Sequence, residues 1–134
     1  MTCFWDGILG SLTQEDFETT FGIERKPNNI DFVKLLQKSN KHTENVKWNN
    51  TVLTNKELEE NYEHIKDYDI NTMNQGYLCS TCDPFLLLTS EIFSVNIYHK
   101  YCGNVMQYIT LQSKKTLYFS SNRGHFTTCS QFVV

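Results

Sequence analysis

The strongest constraint on how this chain folds is a change of period within residues 83–100. Asp83-Pro84 is a helix start: the Asp side chain can cap a free backbone N–H, and proline suits the first helical position, where its missing N–H goes unneeded. Phe85, Leu86, Leu87, Leu88, Ile92 and Phe93 then place apolar groups nearly all round the helix, which predicts a central, buried element. Directly after it the period drops to two, with Val95, Ile97 and His99 alternating with Asn96, Tyr98 and Lys100. A buried helix that runs straight into a strand is expected to pack on the sheet it feeds.

The other elements fall on either side of this switch. Upstream the chain reads helical. A helix is predicted over 4–12, opening just after Cys3. Thr13 is the N-cap of a second, with Glu15 and Asp16 in its first turn and Gly22 as its stop. Ile30, Phe32, Val33, Leu35 and Leu36 give 30–39 a broad apolar face. Residues 40–52 are polar and Asn-rich and read as a surface loop anchored by Trp48. Thr54-Asn55-Lys56-Glu57 is a capping box ahead of a helix ending near Asp67. Residues 68–82 read as a second loop. Downstream, Val105, Gln107, Ile109 and Leu111 alternate after a turn at Gly103; Lys114-Lys115 is a turn, 116–120 a third strand and 125–134 a fourth. The expectation is an α+β fold, helices packed on a small, mostly antiparallel meander, in one domain over 1–134.

Composition narrows the function classes. With 134 residues, 40% hydrophobic and 13% aromatic, the chain can bury an ordinary core. A net charge of -3, with basic residues in nothing longer than pairs such as Arg25-Lys26, argues against nucleic acid as a partner. No apolar run is long enough to span a bilayer, and the N-terminal residues lack the pattern of a secretory signal, so the expected place is the cytoplasm, that of a host were this a viral protein. The five cysteines are then expected as reduced thiols.

Two residues stand in settings that suit a cysteine–histidine pair. Cys3 precedes an apolar helix, whose positive dipole end favours a thiolate, and His125 follows a turn and opens a strand. Such a histidine can take the thiol proton and later protonate a leaving amine. Three segments go further. They are Cys3-Phe4-Trp5-Asp6-Gly7-Ile8-Leu9; Ser90-Glu91-Ile92-Phe93-Ser94-Val95-Asn96-Ile97-Tyr98; and Gly124-His125-Phe126 behind Leu117-Tyr118-Phe119. In that order, with an acidic helix between the first two, they resemble the ovarian-tumour (OTU) class of cysteine proteases, which are mostly deubiquitinases. The resemblance implies a papain-like architecture, Cys3 as nucleophile, His125 as base, no metal or other cofactor, and ubiquitin or a ubiquitin-like protein as partner of a monomer. Many members carry Asp or Asn two residues after the histidine; here that position is Thr127, a weaker orienter of the ring. The family's Asp-Gly ahead of the nucleophile has no counterpart, since only Met1 and Thr2 precede Cys3. The alternative is therefore a weak or inactive OTU-like protein-binding module.

The sequence reading makes three further expectations. Phe4 and Trp5 must sit in the core if Cys3 is not to fray. His125 and Thr127, two apart on a strand, should point the same way, with Phe126, Thr128, Phe132 and Val134 on the other face and the Thr127 hydroxyl accepting from the His125 ring. Finally, Cys79-x-x-Cys82 with His99-x-x-Cys102 has the paired spacing of zinc ligands, but Cys82 abuts a helix cap and His99 shares a face with Val95 and Ile97, so His99 is expected as a core or edge histidine and no structural zinc is expected.

Overall fold

The computed structural model describes residues 3–75, 83–122 and 125–129. Its five α-helices among those residues are α1 (Cys3–Ser11), α2 (Gln14–Phe21), α3 (Asn29–Lys38), α4 (Asn55–Asp67) and α5 (Pro84–Phe93). A 3-10 helix, Ile70–Gln75, occupies part of the expected loop after α4. The six strands are β1 (Val46–Trp48), β2 (Thr51–Val52), β3 (Val95–Tyr101), β4 (Asn104–Thr110), β5 (Lys115–Asn122) and β6 (His125–Thr128). They form one mixed sheet in the order β2-β1-β4-β3-β5-β6. The fold is thus α+β, and every pairing but one is antiparallel.

The helix ends are where local chemistry puts them. Thr13 accepts from the Asp16 amide while the Asp16 carboxylate accepts from the Thr13 amide, and Gly22 closes α2 in the left-handed region at φ 70°. Thr54 and Glu57 make the same reciprocal pair on α4. Asp83 caps α5 by accepting from the Phe85 amide, with proline next in line. Ser94, at φ 55°, turns the chain from α5 directly into β3.

Two expectations need correction. The segment 40–52 is not all loop: β1 and β2 form a hairpin whose Trp48↔Thr51 pair flanks Asn49-Asn50, both at positive φ (48° and 69°). Asn tolerates that region, so the turn was legible, but strands of three and two residues show no period. β1 joins the sheet by pairing with the edge of β4. The downstream strands are also not a simple meander. With β1 on that edge of β4, β5 pairs parallel with β3 on the other side. Residues 111–114 cross beneath the start of β3, where the Lys114 amide donates to the Ser94 carbonyl at 2.9 Å. The last strand ends at Thr128 with the Cys129 amide still bonded to the Tyr118 carbonyl; the expected continuation over 130–134 lies outside the described residues.

Strand register sorts side chains onto two faces. Ile97, His99, Tyr108, Leu117, Phe119 and Phe126 point to the helices and are buried, whereas Tyr98, Lys100, Gln107, Tyr118 and Ser120 point away. α5 lies on β3, β4 and β1, and α1 lies on β6; α2 and α4 back α5, and α3 backs α1. Trp5, Phe17, Phe32, Phe85 and Phe93 are fully buried or nearly so and meet edge to face, as in Trp5–Phe85 (4.8 Å between centroids) and Phe17–Phe93 (5.2 Å). Each such ring contributes about 2–3 kcal/mol by leaving water.

One buried charge ties the helical layer to the sheet. Asp16, 5% exposed, receives Lys115 from the first residue of β5 and Lys114 at 3.4 Å, besides capping α2. Burial alone would raise its pKa, but the Lys115 ammonium and the Thr13 amide and hydroxyl outweigh it and hold the carboxyl below its ordinary value. A carboxyl lowered on folding adds stability above its unfolded pKa that is lost as pH falls through the folded value. Asp16→Asn is therefore expected to cost about 1–3 kcal/mol at pH 7. Urea unfolding at pH 7 and below pH 4 checks this: the gap between wild type and variant should narrow in acid.

Candidate functional site

Cys3 is the first residue of α1, and the turn it opens is held from three sides. Trp5 is fully buried among Phe32, Tyr68 and Phe85. Phe4 packs on Phe126 with centroids 4.9 Å apart. Asp6 accepts from the Asn29 side chain at 2.6 Å, which ties the turn to the start of α3. Cys3 itself is half-buried against the core. The anchoring by Phe4 and Trp5 that a usable thiol at this position needs is present.

His125 opens β6, the edge strand, as the partner of Asn122 across the β5–β6 turn. α1 and β6 run side by side in the same direction. Phe4 and Gly7 both touch Phe126, and one turn further along the Gly7 carbonyl accepts from the Thr128 hydroxyl at 2.9 Å. The helix start bearing Cys3 and the strand start bearing His125 therefore lie at the same end of this packed pair. Gly7 permits the approach: a Cβ there would stand 2.8 Å from two carbons of the Phe126 ring.

The side chains are not joined. Among the described residues no hydrogen bond links Cys3 to His125 or His125 to Thr127. Alternation turns Phe126 and Thr128 toward α1 and leaves His125 and Thr127 exposed on the opposite face. The Thr127 hydroxyl donates to the Thr128 carbonyl at 3.2 Å. β3 ends at Tyr101, level with Ser121, so Asn122 and His125 extend past it as the tip of a two-stranded ribbon. Among the described residues no third strand pairs with β5 beyond Ser121, and two-stranded ribbons twist more strongly than wide sheets.

The remaining candidates separate. His99 faces the core at 1% exposure, and burial pushes its pKa down to about 4, so the ring is neutral at pH 7. Cys102 sits exposed in the β3–β4 turn, and Cys79 and Cys82 lie outside the described residues. Among the described residues no three His, Cys, Asp or Glu side chains are grouped to hold a metal ion. No described helix is long and apolar enough to cross a membrane.

No family model matches the chain, and neither a curated protein nor a solved structure matches it.

The close approach at Gly7 has a measurable consequence. Alanine normally gains about 1 kcal/mol over glycine inside a helix. Here the new methyl would press on a ring already held by Phe4 and Phe119, so Gly7→Ala is expected to lower stability by about 1–2 kcal/mol. Urea unfolding gives the number. A stabilised variant would mean that Phe126 can move aside.

Proposed function

We propose that the chain is a thiol isopeptidase of the OTU type, with a papain-like arrangement of helix and sheet, that releases ubiquitin or a ubiquitin-like protein from its conjugates. The observation that carries this reading is the packed α1–β6 pair, with a cysteine at the start of the helix and a histidine at the start of the strand. The likeness of segments 3–9, 86–98 and 117–126 to the family supports it.

In this reading His125 takes the Cys3 proton, and the thiolate attacks the carbonyl carbon of the isopeptide bond. The tetrahedral intermediate collapses as His125 returns the proton to the leaving lysine amine, which leaves a thioester on Cys3. Water, deprotonated by His125, then attacks the thioester, and the carboxylate product departs with Cys3 restored. The backbone N–H groups of the first turn of α1 are candidate donors to the oxyanion. Thr127 aids if its hydroxyl oxygen, which can accept while its proton is donated to the Thr128 carbonyl, meets an imidazole N–H.

The outward facing of His125 favours a second reading, a non-catalytic protein-binding module. One experiment separates the two. Ubiquitin carrying a C-terminal electrophile is expected to label the wild type at Cys3, fail on Cys3→Ala, and react at least 100-fold more slowly with His125→Ala. Thr127→Asp is expected to raise the rate of substrate hydrolysis and Thr127→Val to lower it. Binding of ubiquitin without labelling would select the module.

A further inference from the structure

His99 is a costly residue for its place. It lies on the buried face between Val95, Ile97 and the helices, where an apolar side chain would pack without polar atoms to satisfy. Only one ring nitrogen is served: Nε2 pairs with the Ser121 hydroxyl, while the buried Nδ1 has no hydrogen-bond partner. What the ring touches is specific. Ser121 is the last residue of β5 still paired with β3, and Phe126 is its partner on β6. The His99 ring lies 5.2 Å from that of Phe126, which in turn lies 4.9 Å from Phe4, the residue next to Cys3. One imidazole thus grips both strands of the ribbon at the last rung before its tip.

We propose that His99 is a positioning residue: through the Ser121 hydrogen bond and the Phe126 ring contact it fixes the β5–β6 ribbon over α1, and so sets where His125 stands relative to Cys3. This rests on the isopeptidase reading, which makes His125 the base. Packing alone would not need the hydrogen bond, because Phe119 and Phe4 already flank Phe126. The bond fixes the ribbon's twist, which apolar contact, being non-directional, does not. The depressed pKa of His99 is consistent with this, since the neutral ring keeps one nitrogen for Ser121 without burying a charge.

The test uses the full chain and four variants: His99→Leu, His99→Gln, Ser121→Ala and the His99→Leu/Ser121→Ala double. Labelling of Cys3 by the ubiquitin electrophile is expected to slow about tenfold in His99→Leu and in Ser121→Ala. The double variant should be no slower than either single, because both remove one interaction. His99→Gln, whose amide can still reach Ser121, should recover part of the rate. Amide hydrogen exchange at Thr127, whose N–H faces β5 opposite Ser120 as that of Cys129 faces Tyr118, should quicken in the slow variants while the melting temperature of His99→Leu is unchanged or raised. Wild-type labelling in both Ser121→Ala and His99→Leu would overturn the proposal. If His99→Leu does not fold, Ser121→Ala alone decides. If Cys3→Ala and His125→Ala show that the isopeptidase reading is itself wrong, exchange at Thr127 still judges the clamp: unchanged exchange in Ser121→Ala overturns it.

Discussion

The rest of the fold depends on enclosing α5. Its Phe85, Leu86, Leu87, Leu88 and Phe93 side chains are each at most 1% exposed. A helix apolar on all sides is stable only when every side is covered. β1, β3 and β4 cover one side, and α2 and α4 the other. Its two buried hydroxyls are served within the element or just beyond it: the Thr89 hydroxyl donates to the Phe85 carbonyl and the Ser90 hydroxyl to the Val95 carbonyl. The second bond bridges the helix-to-strand corner at Ser94. Since β3 leaves that corner without a loop, placing α5 also places the central strand, and the other strands take their register from it.

The candidate site arises at the second contact between helix and sheet. α1 packs on the edge strand β6. Phe126 is the centre of that contact, meeting Phe4, Phe119 and His99 at once, with Gly7 clearing space for its ring. An edge strand also has one side open. Phe126 anchors the β5–β6 ribbon one residue after His125.

Buried carboxylates bind the outer parts to this frame. Asp16 joins α2 to the start of β5 through two lysines. Glu91, with its side chain 5% exposed, receives both the backbone and the side-chain N–H of Asn45 and so holds the approach to β1 against α5. Each of these anions is enclosed by donors, the condition under which a charge can be removed from water without a large loss.

Much of this was legible in the chain alone. Thr13, Gly22, Thr54, Glu57, Asp83 and Pro84 bound their helices because capping is a matter of a few adjacent residues. The α+β character, and the inward face of Val95, Ile97 and His99, followed from period. What depends on partners distant in sequence was not legible. The β1–β2 hairpin exists because β4 offers it an edge; β5 pairs with β3 because that edge is taken; and Lys115, read as part of a turn, is the counter-ion of a residue 99 positions earlier. The site divides in the same way. Sequence put a thiol at a helix start and an imidazole at a strand start, because both are local. Only the tertiary structure laid those elements side by side, turned His125 and Thr127 outward, and set His99 beneath the ribbon, because side-chain direction depends on which face of the sheet the helices bury.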